Sequence, residues 1–190
     1  MHETTNDENV AIWRGNRARK AHSSKRDAFR TPNEGPLGIV KDKIEWKDKY
    51  RSTVENTTIQ AGFDENIGMV WSHPGLKIED WENIVSRKNG VVIAGTGLGH
   101  INSDLLGAIE KTSKDIPVAM SSQCLSGSTN LNVYRNGRKL LERGVIETYD
   151  MLPETALVKM MWLSKHHQDN VRDMMGQNLV GEISNSRKLN

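Results

Sequence analysis

Three short apolar runs constrain this chain more than any other feature: IGMVW at residues 67–71, GVVIA at 90–94 and PVAMSS at 117–122. Each is continuous rather than alternating, so each suits a strand buried on both faces, and the intervals between them have room for a helix. The pattern predicts βαβ units in an open parallel sheet with helices on both faces. Within the intervals, Ile78, Trp81, Ile84 and Val85 recur at helical positions, and Leu105, Leu106 and Ile109 follow candidate N-caps at Asn102 and Ser103. Two more helices are expected, over 153–165 with Pro153 in the first turn, and over 169–177, where Val171, Met174 and Met175 share a core-facing side.

Residues 1–60 have a different texture. VAIW at 10–13, GIV at 38–40 and IEW at 44–46, the last two flanking Lys41-Asp42-Lys43, predict short strands and a hairpin. They carry too little apolar surface for a sizeable core. The whole chain, at 190 residues, is long enough to bury one. Its 26 basic and 24 acidic side chains nearly cancel, so net charge names no partner. Its one cysteine, Cys124, excludes an internal disulfide framework, and no apolar run approaches a membrane span or secretory signal. No membrane partner and a reducing, cytoplasmic setting are the expectations.

Candidate chemistry gathers after the second and third runs. GTGLG at 95–99 follows a predicted strand, where open α/β sheets bind ligands. Its spacing is G-x-G-x-G, with the helix starting later, and no G-K-[ST] follows, so neither a dinucleotide fingerprint nor a phosphate loop is present. A tight turn needing positive φ is the better account. Ser121, Ser122, Gln123, Cys124, Ser126, Ser128, Thr129 and Asn130 form a polar loop on the same predicted edge. Cys124 could serve as a nucleophile with His100 as base, but a lone cysteine near a strand end is expected to be a small buried hydrophobe. His166 and His167 are adjacent and point about 100° apart on a helix, so no metal site is expected.

The densest charge is RGNRARKAHSSKRDAFR at 14–30, seven basic residues against Asp27. With Phe29 as its single Phe, Tyr or Trp, it reads as a solvated face before a phosphate-tracking one. Lysine pKa values fall beside like charge and on burial, which suits proton transfer. Lys20 and Lys25 both qualify on that ground.

The segment RARKAHSSKRDAFRTPNEGPLG, followed in order by GVVIAGTGLGHINSD, PVAMSSQCLSGSTNLNVY, GRKLLERGVI and DMLPETALVKMMW, resembles the C-terminal part of the asparaginase-type amidohydrolases. The similarity is greatest to the D-subunit branch of archaeal glutamyl-tRNA(Gln) amidotransferases. The resemblance implies the end of a larger α/β catalytic domain over 1–43, a linker over 44–63 and a smaller flavodoxin-like α/β domain over 64–190. It implies a glutaminase that frees ammonia from glutamine for a partner, the amidotransferase E-subunit, which uses ATP and Mg to amidate the glutamyl group on tRNA. A homodimer of D-subunits and contact with tRNA through the complex go with it; no cofactor is implied in this chain. In the family a threonine attacks the amide, and a second threonine, an aspartate and a lysine relay protons. The family's lysine stands in K-x-x-[ST]-[ST]-x(4)-F, matched here by Lys20, Ser23, Ser24 and Phe29, which singles out Lys20 as the catalytic residue.

The family's T-G-G-T and H-G-T-D-T motifs, which hold both threonines and the aspartate, do not occur in this sequence. The chain is therefore expected to be a fragment, inactive toward glutamine or asparagine by itself. A fragment of a cytoplasmic L-asparaginase and a non-catalytic interaction module are the alternative expectations. The basic run could then touch tRNA, with Arg17 and Arg26 as the positions to test. Related asparaginases carry a polar residue where Leu98 stands, so no substrate contact is expected from it.

Overall fold

The computed structural model describes residues 1–6, 8–47 and 58–184. Half of the linker expected over 44–63, residues 48–57, lies outside them. The chain divides into two compact units, Met1–Ile59 and Gln60–Asn190.

In the first unit β1 (Val10–Ile12), β4 (Gly38–Val40) and β5 (Ile44–Trp46) form an antiparallel sheet in the order β1-β4-β5. The β4–β5 hairpin turns on Lys41-Asp42-Lys43, as expected from the sequence, with the Lys41 N–H donating to the Lys43 carbonyl at 3.1 Å. A separate two-stranded ladder joins β2 (Arg19–Lys20) to β3 (Phe29–Arg30). Among the described residues the buried apolar side chains of this unit are Ala11, Ala28 and Ile39.

The second unit is a parallel four-stranded sheet in the order β6 (Ile67–Trp71), β7 (Gly90–Gly95), β8 (Val118–Ser122) and β9 (Ile146–Glu147). The three expected strands are present, with β8 beginning one residue after Pro117, which lacks the N–H a ladder needs. Because successive crossovers advance in one direction and such crossovers are right-handed, the helices between strands fall on one face. α1 (Ile78–Val85), α2 (Leu106–Asp115) and α3 (Arg135–Glu142) supply Trp81, Ile109 and Leu140 to a core with Val70, Val91, Ile93, Val118 and Met120. The opposite face is covered by α4 (Pro153–His166) and α5 (Val171–Met175), which pack Ala156, Met160, Leu163 and Met175 against Ile67, Val92 and Ala119. Alternate residues of β7 thus enter alternate cores, which is why the run had to be apolar throughout. No helix among the described residues is long and apolar enough to cross a membrane.

The β2–β3 ladder of the first unit escaped the sequence reading, and so did α3 and β9 of the second. α3 is mostly polar, RNGRKLLE, and contains Gly137, a poor helix former. β9 has two residues, too few for a periodic signal. The last helix is shorter than expected: Gln168–Asn170 is a 3-10 turn, and α5 ends at Met175. Of the two candidate caps, Asn102 acts, its side chain accepting the Asp104 N–H at 3.2 Å, while Ser103 lies inside the 3-10 turn that precedes α2.

Gly107, in the first turn of α2, faces open space where a side chain would begin. Gly107→Ala should therefore raise the stability of the second unit by up to about 1 kcal/mol, the ordinary helix-propensity gain. A urea midpoint followed by the fluorescence of Trp81, which is fully buried, will read it.

Candidate functional site

Lys20 lies on β2, directly opposite Phe29 on β3, and its side chain is exposed. The next rung closes through the Ala21 N–H, which donates to the Ala28 carbonyl at 2.6 Å. Ser23 and Ser24 are exposed in the connecting turn, as is Lys25. Lys20 is thus set by a strand register and Lys25 by the turn, a difference that matters because sites built on regular elements are held more precisely. Within the turn the imidazole Nδ1 of His22 accepts the N–H groups of Ser24 and Lys25, each at 3.1 Å. Beyond it, the Arg30 guanidinium binds Asp27 at 2.6 Å and holds its carboxyl below the ordinary range.

The basic run containing these residues is not a uniformly solvated face. Arg17 is buried, at 3% exposure, with its guanidinium 3.5 Å from Glu34, which also meets Arg14 at 3.5 Å. Arg26 is exposed. Charge reversal at Arg17 would strand a buried ion pair, so of the two positions Arg26 alone can report a surface contact.

In the second unit the expected polar edge forms at the C-terminal ends of β6, β7 and β8, and most of its side chains are spent on backbone carbonyls. The Gln123 side chain donates to the Ser72 and Ala94 carbonyls at 2.6 and 2.9 Å, while its own N–H donates to Gly95. Ser121 donates to the Met151 carbonyl, Ser122 to that of Gly97, and Thr129 to that of Tyr149. These are buried or half-buried groups satisfying strand-end carbonyls that burial would otherwise leave unpaired. They fasten the edge.

The glycine turn is fastened as well. Thr96 and His100 exchange backbone hydrogen bonds at 2.8 and 2.9 Å, and the Gly99 N–H donates back to Thr96 at 3.0 Å. A phosphate cradle needs such N–H groups pointing outward, and here they close the turn on itself. Gly97 and Gly99 take φ of 51° and 104°, which explains the requirement for glycine. Leu98 participates through its carbonyl, which accepts the Asn130 N–H at 3.0 Å.

Cys124 is exposed, which corrects the expectation of a buried hydrophobe; its strand has already ended and its N–H donates to the Ser122 hydroxyl at 3.1 Å. His100 lies edge-on to Tyr134, ring centroids 4.9 Å apart. His166 and His167 both pack against Trp162, and no group of three or more potential metal ligands occurs among the described residues. The sequence reading missed Tyr149, an exposed residue on this edge at φ 56°, a backbone that bulky residues rarely adopt. No local signal marks it; two hydrogen bonds from Thr129 to its carbonyl hold it there. Also missed was Glu147, whose buried carboxylate on β9 accepts the Leu131 N–H at 3.0 Å.

Comparison with known proteins follows the same division. Residues 1–52 match the N-terminal asparaginase domain and residues 66–175 the glutaminase/asparaginase C-terminal domain. The chain is 43% identical over 97% of its length to the glutamyl-tRNA(Gln) amidotransferase D-subunit of Saccharolobus islandicus, and 42% identical over 96% to that of Thermoplasma acidophilum. It spans only 43% and 45% of those two proteins. Among solved structures, the thermostable L-asparaginase of Thermococcus kodakarensis superposes with a TM-score of 0.86 at 32% identity, covering 93% of this chain and 56% of that one. L-asparaginase I of Vibrio cholerae gives 0.80 at 31%, covering 92% and 55%. With both family domains matched in order, and with identity well above what fold likeness alone produces, the chain belongs to the asparaginase/glutaminase family.

Proposed function

We propose that this chain is part of the glutaminase component of a tRNA-dependent amidotransferase, releasing ammonia from glutamine for the conversion of Glu-tRNA(Gln) to Gln-tRNA(Gln). The observation carrying this reading is the identity of 43% with the Saccharolobus D-subunit across 97% of the chain, which takes in the Lys20 hairpin. In the reaction a threonine hydroxyl attacks the side-chain amide carbonyl, ammonia leaves, and water cleaves the resulting ester to glutamate. Lys20 serves in proton relay, from its position on β2. The amidotransferase E-subunit receives the ammonia and supplies ATP and Mg chemistry, tRNA is engaged through the complex, and the D-subunits pair as a homodimer.

Because the T-G-G-T and H-G-T-D-T motifs do not occur in these 190 residues, the chain by itself should release no ammonia from glutamine or asparagine. A chimera that places the N-terminal part of the Saccharolobus protein before this chain should do so. In that chimera Lys20→Ala should lower kcat by about a hundredfold or more, the usual scale of a lost proton-transfer group. Turnover by the isolated chain, or a chimera indifferent to Lys20→Ala, would overturn the assignment.

The solved L-asparaginase structures favour a second reading, in which asparagine is the substrate. The ratio of kcat/KM for asparagine and glutamine in the chimera separates the two.

A further inference from the structure

The turn that follows Lys20 is closed by a side chain able to titrate. His22 Nδ1 accepts the N–H of residues two and three places on, the arrangement that Asp or Asn makes in an Asx turn. An Asn oxygen accepts at any pH. An imidazole accepts at Nδ1 only when neutral with its proton on Nε2; as imidazolium it has two donors and no acceptor. Protonation would replace two attractive contacts by N–H groups facing N–H.

That turn bears directly on Lys20. The ladder between β2 and β3 has only two rungs, Arg19 with Arg30 and Lys20 with Phe29, followed by the Ala21–Ala28 bond. A two-residue ladder depends on its connection for its register. β3 is the strand paired with β2. The charged groups around the turn are Arg19 and Lys20 on β2, Lys25 and Arg26 within the turn, and Asp27 and Arg30 on the β3 side. Asp27, the single carboxylate among them, is engaged by Arg30 at 2.6 Å.

Building on the proposed role of Lys20, we infer that His22 is its positioning residue: the neutral imidazole closes the β2–β3 turn and so fixes Lys20, and protonation of His22 releases both. The inference gives this hairpin an acid-sensitive latch that asparagine at the same place would lack.

Nuclear magnetic resonance of the 190-residue chain tests this without any catalysis. At neutral pH His22 should show the Nε2–H tautomer with Nδ1 as acceptor. On acidification the amide resonances of Ser24 and Lys25, and the backbone resonances of Lys20, should move with the titration of the His22 ring itself. The protection factor of the Ala21 amide, its exchange rate taken relative to the intrinsic rate at each pH, should fall by roughly tenfold across the same interval, the worth of about one lost hydrogen bond. His22→Asn should abolish the pH response with the turn still closed, and His22→Ala should leave it open at every pH. An Nδ1–H tautomer, amides that stay still while His22 titrates, or an unchanged pH response in His22→Asn would each overturn the inference. A chimera indifferent to Lys20→Ala would remove the catalytic role of Lys20 and leave the latch standing; a silent turn would do the reverse.

Discussion

Lys159→Met should destabilise the second unit by about 3 kcal/mol, the scale on which stranding one partner of a buried ion pair costs a fold. Lys159 stands on α4 among Ala156, Met160 and Leu163, all buried. Its ammonium lies 2.7 Å from Glu182, their side chains 6% and 2% exposed, and it also donates to the Gln177 carbonyl. Burial pushes the Glu182 carboxyl up, but the Lys159 ammonium and the N–H groups of Leu179 and Val180 together hold it below the ordinary range. A carboxyl depressed in the folded state contributes stability that is present above its unfolded value, about 4.3, and is lost as pH falls through the folded one. The wild-type chain should lose that contribution only in strong acid. In Lys159→Met the cation is gone and burial is opposed only by the backbone N–H groups, so the Glu182 carboxyl is more readily protonated than in the wild type, and the gap between the two should narrow on acidification. Urea titrations at neutral pH and near pH 4, read by Trp81 fluorescence, check both the size and the sign.

Gly137→Ala should destabilise the same unit by about 2–3 kcal/mol, although alanine is normally the better helix former by about 1 kcal/mol. A methyl group at Gly137 would fall inside the contact radius of the Leu131 carbonyl oxygen and within 2.9 Å of its carbonyl carbon and Cα. The obstacle is backbone, so it cannot swing aside. Leu131 is itself held by the bond from its N–H to Glu147, and its side chain fills the space that a Cβ on Gly99 would need. Strain at α3 therefore reaches the glycine turn. The same urea assay that shows Gly107→Ala gaining stability should show Gly137→Ala losing it, and equal signs for the two would refute this packing argument.

These two sites show where sequence reading stops. Lys159 was not singled out in the sequence, although it stands three places after Ala156 on what proves to be the buried face of α4. Its partner is 23 positions away, beyond any local period. Gly137 counted against a helix by propensity, yet the helix exists because Leu140 and Leu141 have a sheet to cover. Likewise the polar loop after β8 was placed correctly at the strand ends, but its residues could equally have been catalytic groups. Only their bonds to the carbonyls of Ser72, Ala94, Gly97, Tyr149 and Met151 show them to be fasteners.

Local chemistry determined the parallel strands, their βαβ spacing, the β4–β5 hairpin and the need for glycine in 95–99, because alternation, run length and positive φ are properties of a few consecutive residues. Lys20 was singled out from Lys25 by the family resemblance, since local charge and composition suit both lysines equally. Tertiary structure alone decided that Arg17 is buried on Glu34, that Cys124 is exposed, that Tyr149 is held at positive φ, and that His22 closes its turn as an acceptor. Burial, charge pairing and hydrogen-bond direction depend on which distant or neighbouring group arrives in space, and a one-dimensional pattern carries no record of that arrival.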